Sequence, residues 1–108
     1  MTTDVRVALV TGPDAATMRD IVRTLVRERL IACANVLDGV TSSYRWEGEV
    51  EEASECLVVL KTTVDRVPAL EARLAGLHPY DVPEFIVMRV DEGSEAYLDW
   101  VRDSVAAD

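Results

Sequence analysis

The 108-residue sequence holds one histidine, His78, and two cysteines, Cys33 and Cys56. The cysteines form no CxxC pair and no ligand-spaced cluster, so neither a redox dithiol nor a compact zinc site is expected from them. Both lie in apolar strings, IACANV and ECLVVL, where a free thiol is a small buried hydrophobe. No apolar run approaches the ~20 residues that span a membrane. The start, MTTDVRVALV, has no basic segment followed by a long apolar stretch, so no secretory leader is expected and a cytosolic protein with reduced thiols is. Positive charge is scarce: 11 Lys and Arg face 20 Asp and Glu, for a net charge of −9. That balance excludes a nucleic-acid partner, which needs a basic face, and disfavours anionic membranes. GxSxG, GxGxxG, P-loop and HExxH strings are absent, and Ser42 and Ser43 have no base nearby in sequence. No enzymatic reaction is expected.

What is present is globular. Hydrophobic residues make up 49% and charged residues 29%. The length suits one domain, residues 1–108 with an ordered core of about 5–104, that buries roughly two thirds of its unfolded surface. Residues 5–11, VRVALVT, read as a strand. From Ala15 to Leu30, Met18, Ile21, Val22, Leu25 and Val26 recur at helical spacing. Ile31 to Leu37 is strand-like, Asp38-Gly39 signals a turn or bulge, and Val40, Ser42, Tyr44 and Trp46 alternate onto one face. Glu47-Gly48 looks like a hairpin tip. An acidic stretch, Glu49 to Glu55, precedes a buried strand, Cys56 to Leu60, that ends in Lys61-Thr62-Thr63. Asp65 is placed to cap a second helix with Pro68 in its first turn and Val67, Leu70, Leu74 and Leu77 as its stripe. Residues 78–84 form a loop and Phe85 to Val90 a strand. Ser94 caps a last helix in which Ala96, Tyr97, Trp100 and Val101 share a face, with Tyr97 and Trp100 expected in the core.

The order β-α-β-β-α-β plus a C-terminal helix predicts an α+β fold, a ferredoxin-like sandwich. Helices cover one face of its sheet. The other face also needs cover, and self-association is the simplest way to supply it.

Several strings together resemble the CutA family of divalent-cation tolerance proteins. They are LVRERLIACANVLDGVTSSYRWEGEVEEASECLVVLKTT at 25–63, LHPYDVPEFIVMRV at 77–90, AYLDWV at 96–101 and the opening TGPDAAT at 11–17. The resemblance implies a homotrimer whose extended hairpins pair across subunits, and a link to tolerance of copper and other divalent metals. It implies no catalytic reaction and no obligatory cofactor. Copper sites of some relatives use a first-strand cysteine and two adjacent histidines. The matching positions here are Val10 and Leu77, which cannot ligate, and His78, which can.

His78 is therefore the first metal candidate, with a structural loop histidine as the competing reading. Cys33 and Glu84 are candidate co-ligands for Cu²⁺ or another divalent ion, and a subunit interface would multiply them. The run Glu47, Glu49, Glu51, Glu52, Glu55 attracts cations loosely or simply keeps an edge soluble. Tyr44, Arg45, Trp46, Lys61 and Tyr80 are expected to line a cleft between subunits or to pack there. As a cleft they would suit a small anionic ligand, which makes a ligand sensor or interaction scaffold the alternative function.

Overall fold

A computed structural model describes residues 2–107. Strand β1 (Val5–Gly12) leads to helix α1 (Ala15–Arg27). Strands β2 (Cys33–Trp46) and β3 (Glu49–Thr63) form a long hairpin. Helix α2 (Val67–Leu77), strand β4 (Ile86–Arg89) and helix α3 (Glu95–Val105) complete the chain. The sheet order is β2-β3-β1-β4, and every neighbouring pair is antiparallel. This is the expected ferredoxin-like α+β arrangement with an added C-terminal helix.

Burial along β1 changes phase. Val5 is buried, and so are Ala8, Val10 and Gly12. Side chains alternate across a strand, so Val5 faces the side opposite to the other three. Ala8, Val10, Val58 and Leu60 join Met18, Ile21 and Leu25 of α1 and Leu70 and Leu74 of α2 in the main core. Val5 belongs to a second cluster with Ala32, Leu98, Val101 and Val105, beneath α3. Helix α3 thus closes one end of the second sheet face. Beyond it Leu37, Ile86 and Met88 stay exposed. Val7, Leu9, Leu57 and Val59 share that face by register.

Several local readings are corrected or sharpened. Helix α1 stops at Arg27, not Leu30, because Arg29 turns into the left-handed region at φ 60°. The reversal drops Leu30 and Ile31 into the core, where the Thr62 hydroxyl donates to the Leu30 carbonyl at 2.7 Å. The second strand runs unbroken through Asp38-Gly39, which form a bulge between Leu37 and Val40 with Gly39 at φ 73°. The acidic Glu49–Glu55 stretch is strand, continuous with Cys56–Thr63. Glu47 and Gly48, both at positive φ, make the two-residue primed turn that joins such strands.

Asp65 does not cap α2. It lies in a 3₁₀ turn over Val64–Arg66 and accepts a hydrogen bond from the Thr63 hydroxyl. Strand β4 spans four residues rather than the expected six. Ser94 does cap α3, accepting from the Tyr97 N–H. The buried face of α3 is Leu98, Val101 and Val105, however, and Tyr97 and Trp100 are 43% and 47% exposed. The two rings lean together at 5.7 Å on the outside of the helix.

Candidate functional site

The chain passes from α2 to β4 through the HPYDVPE segment, anchored at its start. His78 ends α2, its N–H donating to the Leu74 carbonyl, and it is only 7% exposed. Its Nδ1 accepts from the Tyr80 N–H at 3.1 Å, and its Nε2 lies 2.8 Å from the Thr11 carbonyl. A carbonyl only accepts, so Nε2 is the donor and Nδ1 the acceptor. Both nitrogens are thereby occupied, one holding the loop and the other the end of β1. The ring also rests on Tyr80, with centroids 4.8 Å apart. In this arrangement His78 is a structural clasp without a lone pair to offer a metal.

Tyr80 carries the connection onward. Its hydroxyl donates to Glu55 Oε2 at 2.6 Å, tying the loop to β3. Burial, and then that bond, push the Tyr80 hydroxyl up to about 12. It is thus a donor across the physiological range. Between loop and hairpin lies a cleft of about 940 Å³. Its floor is one face of the hairpin: Ser42 opposite Ala53, and Tyr44 opposite Glu51. Trp46 extends this floor, and Tyr80 to Glu84 form the facing wall. Four carboxylates line it, those of Glu51, Glu55, Asp81 and Glu84. Among the described residues that line it there is no lysine, arginine or histidine. Its field therefore favours cations.

The remaining candidates fall elsewhere. Cys33 pairs with Lys61 at the far end of β2, four residues along β3 from Leu57, the partner of Thr11. Its position is roughly 13 Å along the sheet from the row that holds His78. Its thiol meets the Tyr97 hydroxyl at 3.5 Å. That bond, and then burial, raise Tyr97 to about 12. Cys33, His78 and Glu84 therefore do not converge within one chain. Among the described residues no three of His, Cys, Asp and Glu form a cluster that could hold a metal ion. Cys56 is buried in the main core, and desolvation raises its thiol above the ordinary value.

Within one chain, the residues expected at a cleft between subunits divide into two groups. Lys61 donates to Asn35 Oδ1 on the open sheet face, away from the cleft. Arg45 sits opposite Val50, in alternation with Tyr44 and Trp46, so it projects to the other side of the hairpin. Tyr44, Trp46 and Tyr80 remain at the cleft without those two cations. Sequence reasoning took Glu55 as one charge in an acidic run. Its role as the acceptor for Tyr80 depends on a contact across 25 residues, which no local pattern encodes.

Comparison with known proteins accords with this architecture. The family described as CutA1 divalent ion tolerance protein matches residues 6–104. The divalent-cation tolerance protein CutA of Thermus thermophilus is 47% identical over 98 residues, covering 91% of this chain and 95% of that one. The corresponding protein of Citrobacter koseri is 43% identical over 99 residues, covering 92% and 86%. The crystal structure of CutA from Xylella fastidiosa superposes with a TM-score of 0.94 at 39% identity, covering 96% of this chain and all of the other. No helix among the described residues is long and apolar enough to cross a membrane. The match runs through both βαβ halves and the HPYDVPE loop, and the chain belongs to the CutA1 divalent ion tolerance family.

Proposed function

We propose that this chain acts in divalent-cation tolerance as a cytosolic homotrimer that receives cations in the acidic cleft beneath the HPYDVPE loop. The observation that carries the reading is a lining with four carboxylates and, among the described residues, no basic side chain. Oxygen donors of this kind suit Mn²⁺, Ca²⁺ or Mg²⁺ by hardness, and Cu²⁺ by its place at the top of the divalent affinity order. The carboxylates are spread around a broad opening, so the ions are held loosely and exchange readily. Copper is one member of the set under this reading, not a dedicated partner with a His78-centred site. The uncovered apolar part of the sheet supports self-association. Two free cysteines accord with a reducing compartment. The reading assigns no catalytic reaction.

Calorimetric titration of tag-free protein with Mn²⁺ and Cu²⁺ tests cation binding. Uptake should weaken when Glu51 and Glu84 are both changed to Gln, and equal titrations of wild type and variant would refute the cleft as the site. Light scattering should give three times the 11.9 kDa chain mass, and a monomer would refute the assembly. Expression in a bacterium deprived of its own homologue should restore growth in copper.

A further inference from the structure

Charge is segregated between two outer helices. On α1, Arg19, Arg23 and Arg27 follow at four-residue spacing, and all three are exposed. They form one ridge turned away from Met18, Ile21 and Leu25, which α1 buries. On α3, Glu95, Asp99 and Asp103 repeat the same spacing, and they too are exposed. Like charges four residues apart weaken a helix, so each ridge costs its helix stability. Local pairing answers only the middle of each ridge, Arg23 with Asp20 at 3.2 Å and Asp99 with Arg102 at 2.8 Å. Among the described residues, Arg19, Arg27, Glu95 and Asp103 form no ion pair.

The two ridges cannot meet within one chain, because α1 packs on one face of the sheet and α3 on the other. They nevertheless match in sign and length, each step rising roughly 6 Å along its helix. Both are flanked by exposed apolar surface, Val26 beside Arg23 and Trp100 beside Asp103. A guanidinium brought to the acidic ridge therefore meets a ring face as well as a carboxylate. Arginine and tryptophan are the side chains on which interfaces most often depend.

We propose that the α1 ridge of one copy docks antiparallel on the α3 ridge of another, with Arg19 at Asp103, Arg23 at Asp99 and Arg27 at Glu95. The antiparallel order sets the negative end of one helix dipole beside the positive end of the other. Two different patches meet, so the contact is heterologous and passes from copy to copy. It uses neither the apolar sheet surface at Leu37, Ile86 and Met88 nor the acidic cleft.

Sedimentation velocity of the intact, tag-free protein tests the contact at two ionic strengths. At about 10 mM salt charges act over roughly 30 Å, and at about 1 M they are screened within roughly 3 Å. Copies of net charge −9 repel one another, so general screening makes the mass rise with salt. The ridge contact makes it fall. The low-salt mass should be about twice the high-salt mass or more, as whole units join. Arg19→Glu and Asp103→Arg should each abolish that excess, and the two together should restore it. Each reversal suits its helix end, an acid near the start of α1 and a base in the last turn of α3, so melting midpoints at high salt should match wild type. A wild-type mass that is constant or rises with salt overturns the contact. An excess that survives both single reversals overturns its assignment to these helices, and a double variant that stays dissociated overturns the Arg19–Asp103 pairing. The high-salt mass reports assembly through the sheet face separately.

Discussion

Replacing His78 by Ala tests whether the imidazole is a clasp or a ligand. The ring accepts from the Tyr80 N–H and donates to the Thr11 carbonyl. Alanine removes both bonds and leaves two backbone groups without partners in a site that was 7% exposed. Two hydrogen bonds at about 1 kcal/mol each, plus incomplete rehydration of the stranded groups, make a cost of about 2–4 kcal/mol. For a chain of this length 1 kcal/mol moves the melting midpoint by about 4 °C, so a fall of roughly 8–16 °C is expected. Calorimetry at pH 8 and matched protein concentration measures it, since an assembled state makes the midpoint concentration-dependent. His78→Gln, with one acceptor and one donor on its amide, should recover part of the loss. Its copper titration should superimpose on that of wild type. An alanine variant within about 0.5 kcal/mol of wild type would refute the clasp. A Gln variant that folds normally yet loses copper would show that the ring leaves its backbone bonds to ligate metal.

Alkaline titration followed at 295 nm should show Tyr80 and Tyr97 ionising near 12. Because both are raised above the ordinary 10, their contribution to stability is complete below pH 10 and is lost as pH climbs from 10 through 12. Tyr80→Phe should flatten part of that loss, and an unchanged alkaline melt would count against the Tyr80–Glu55 bond. Gly12→Ala places a methyl 2.2 Å from the Met18 sulfur, so the melt should drop by about 1–3 kcal/mol of stability through overpacking. A neutral result would mean that Met18 repacks without strain. Glu47→Asn should raise stability by a few tenths of a kcal/mol, because asparagine tolerates positive φ better at the first position of the primed turn. A lowered melting temperature would oppose the turn assignment.

The parts of the fold carried by periodicity were legible from sequence. The stripe of α1, the cap at Ser94, the bulge at Asp38-Gly39 and the tip at Glu47-Gly48 each follow from residue type at a defined spacing. What failed did so where a tertiary contact decides. Tyr97 and Trp100 were assigned to the core as large aromatics, but Leu98, Val101 and Val105 already fill the stripe that faces Val5 and Ala32. The same limit applied to the site. The HPYDVPE string marked the right loop, and its histidine suggested a ligand. Only the packing of α2 against the end of β1 shows that both nitrogens are already bonded. Arg45 projects to the other side of the hairpin from Tyr44 and Trp46, as its alternation with them requires.

The odd-numbered positions of β3 join the two surfaces on which the functional reading depends. From the α3 end they run Lys61, Val59, Leu57, then Glu55, Ala53, Glu51 and Glu49, all on one side of the sheet. The first part is the open face that self-association would cover. The second is the floor of the acidic cleft, and the change of character falls at Glu55, where Tyr80 ties down the loop. A partner subunit seated on Leu57 and Val59 would therefore stand within a few residues of the cleft. Whatever it contributes there alters the local dielectric and so the strength of Glu51 and Glu55 for a cation. Assembly and cation uptake are then linked: a ligand that binds the assembled form better stabilises it by RT ln(1 + [L]/Kd) relative to the separated chains. The consequence is measurable as a melting midpoint that rises with cation concentration and more steeply at low protein concentration, where assembly is incomplete. A midpoint that responds to cation equally at all protein concentrations would separate the two surfaces and leave the cleft a property of the single chain.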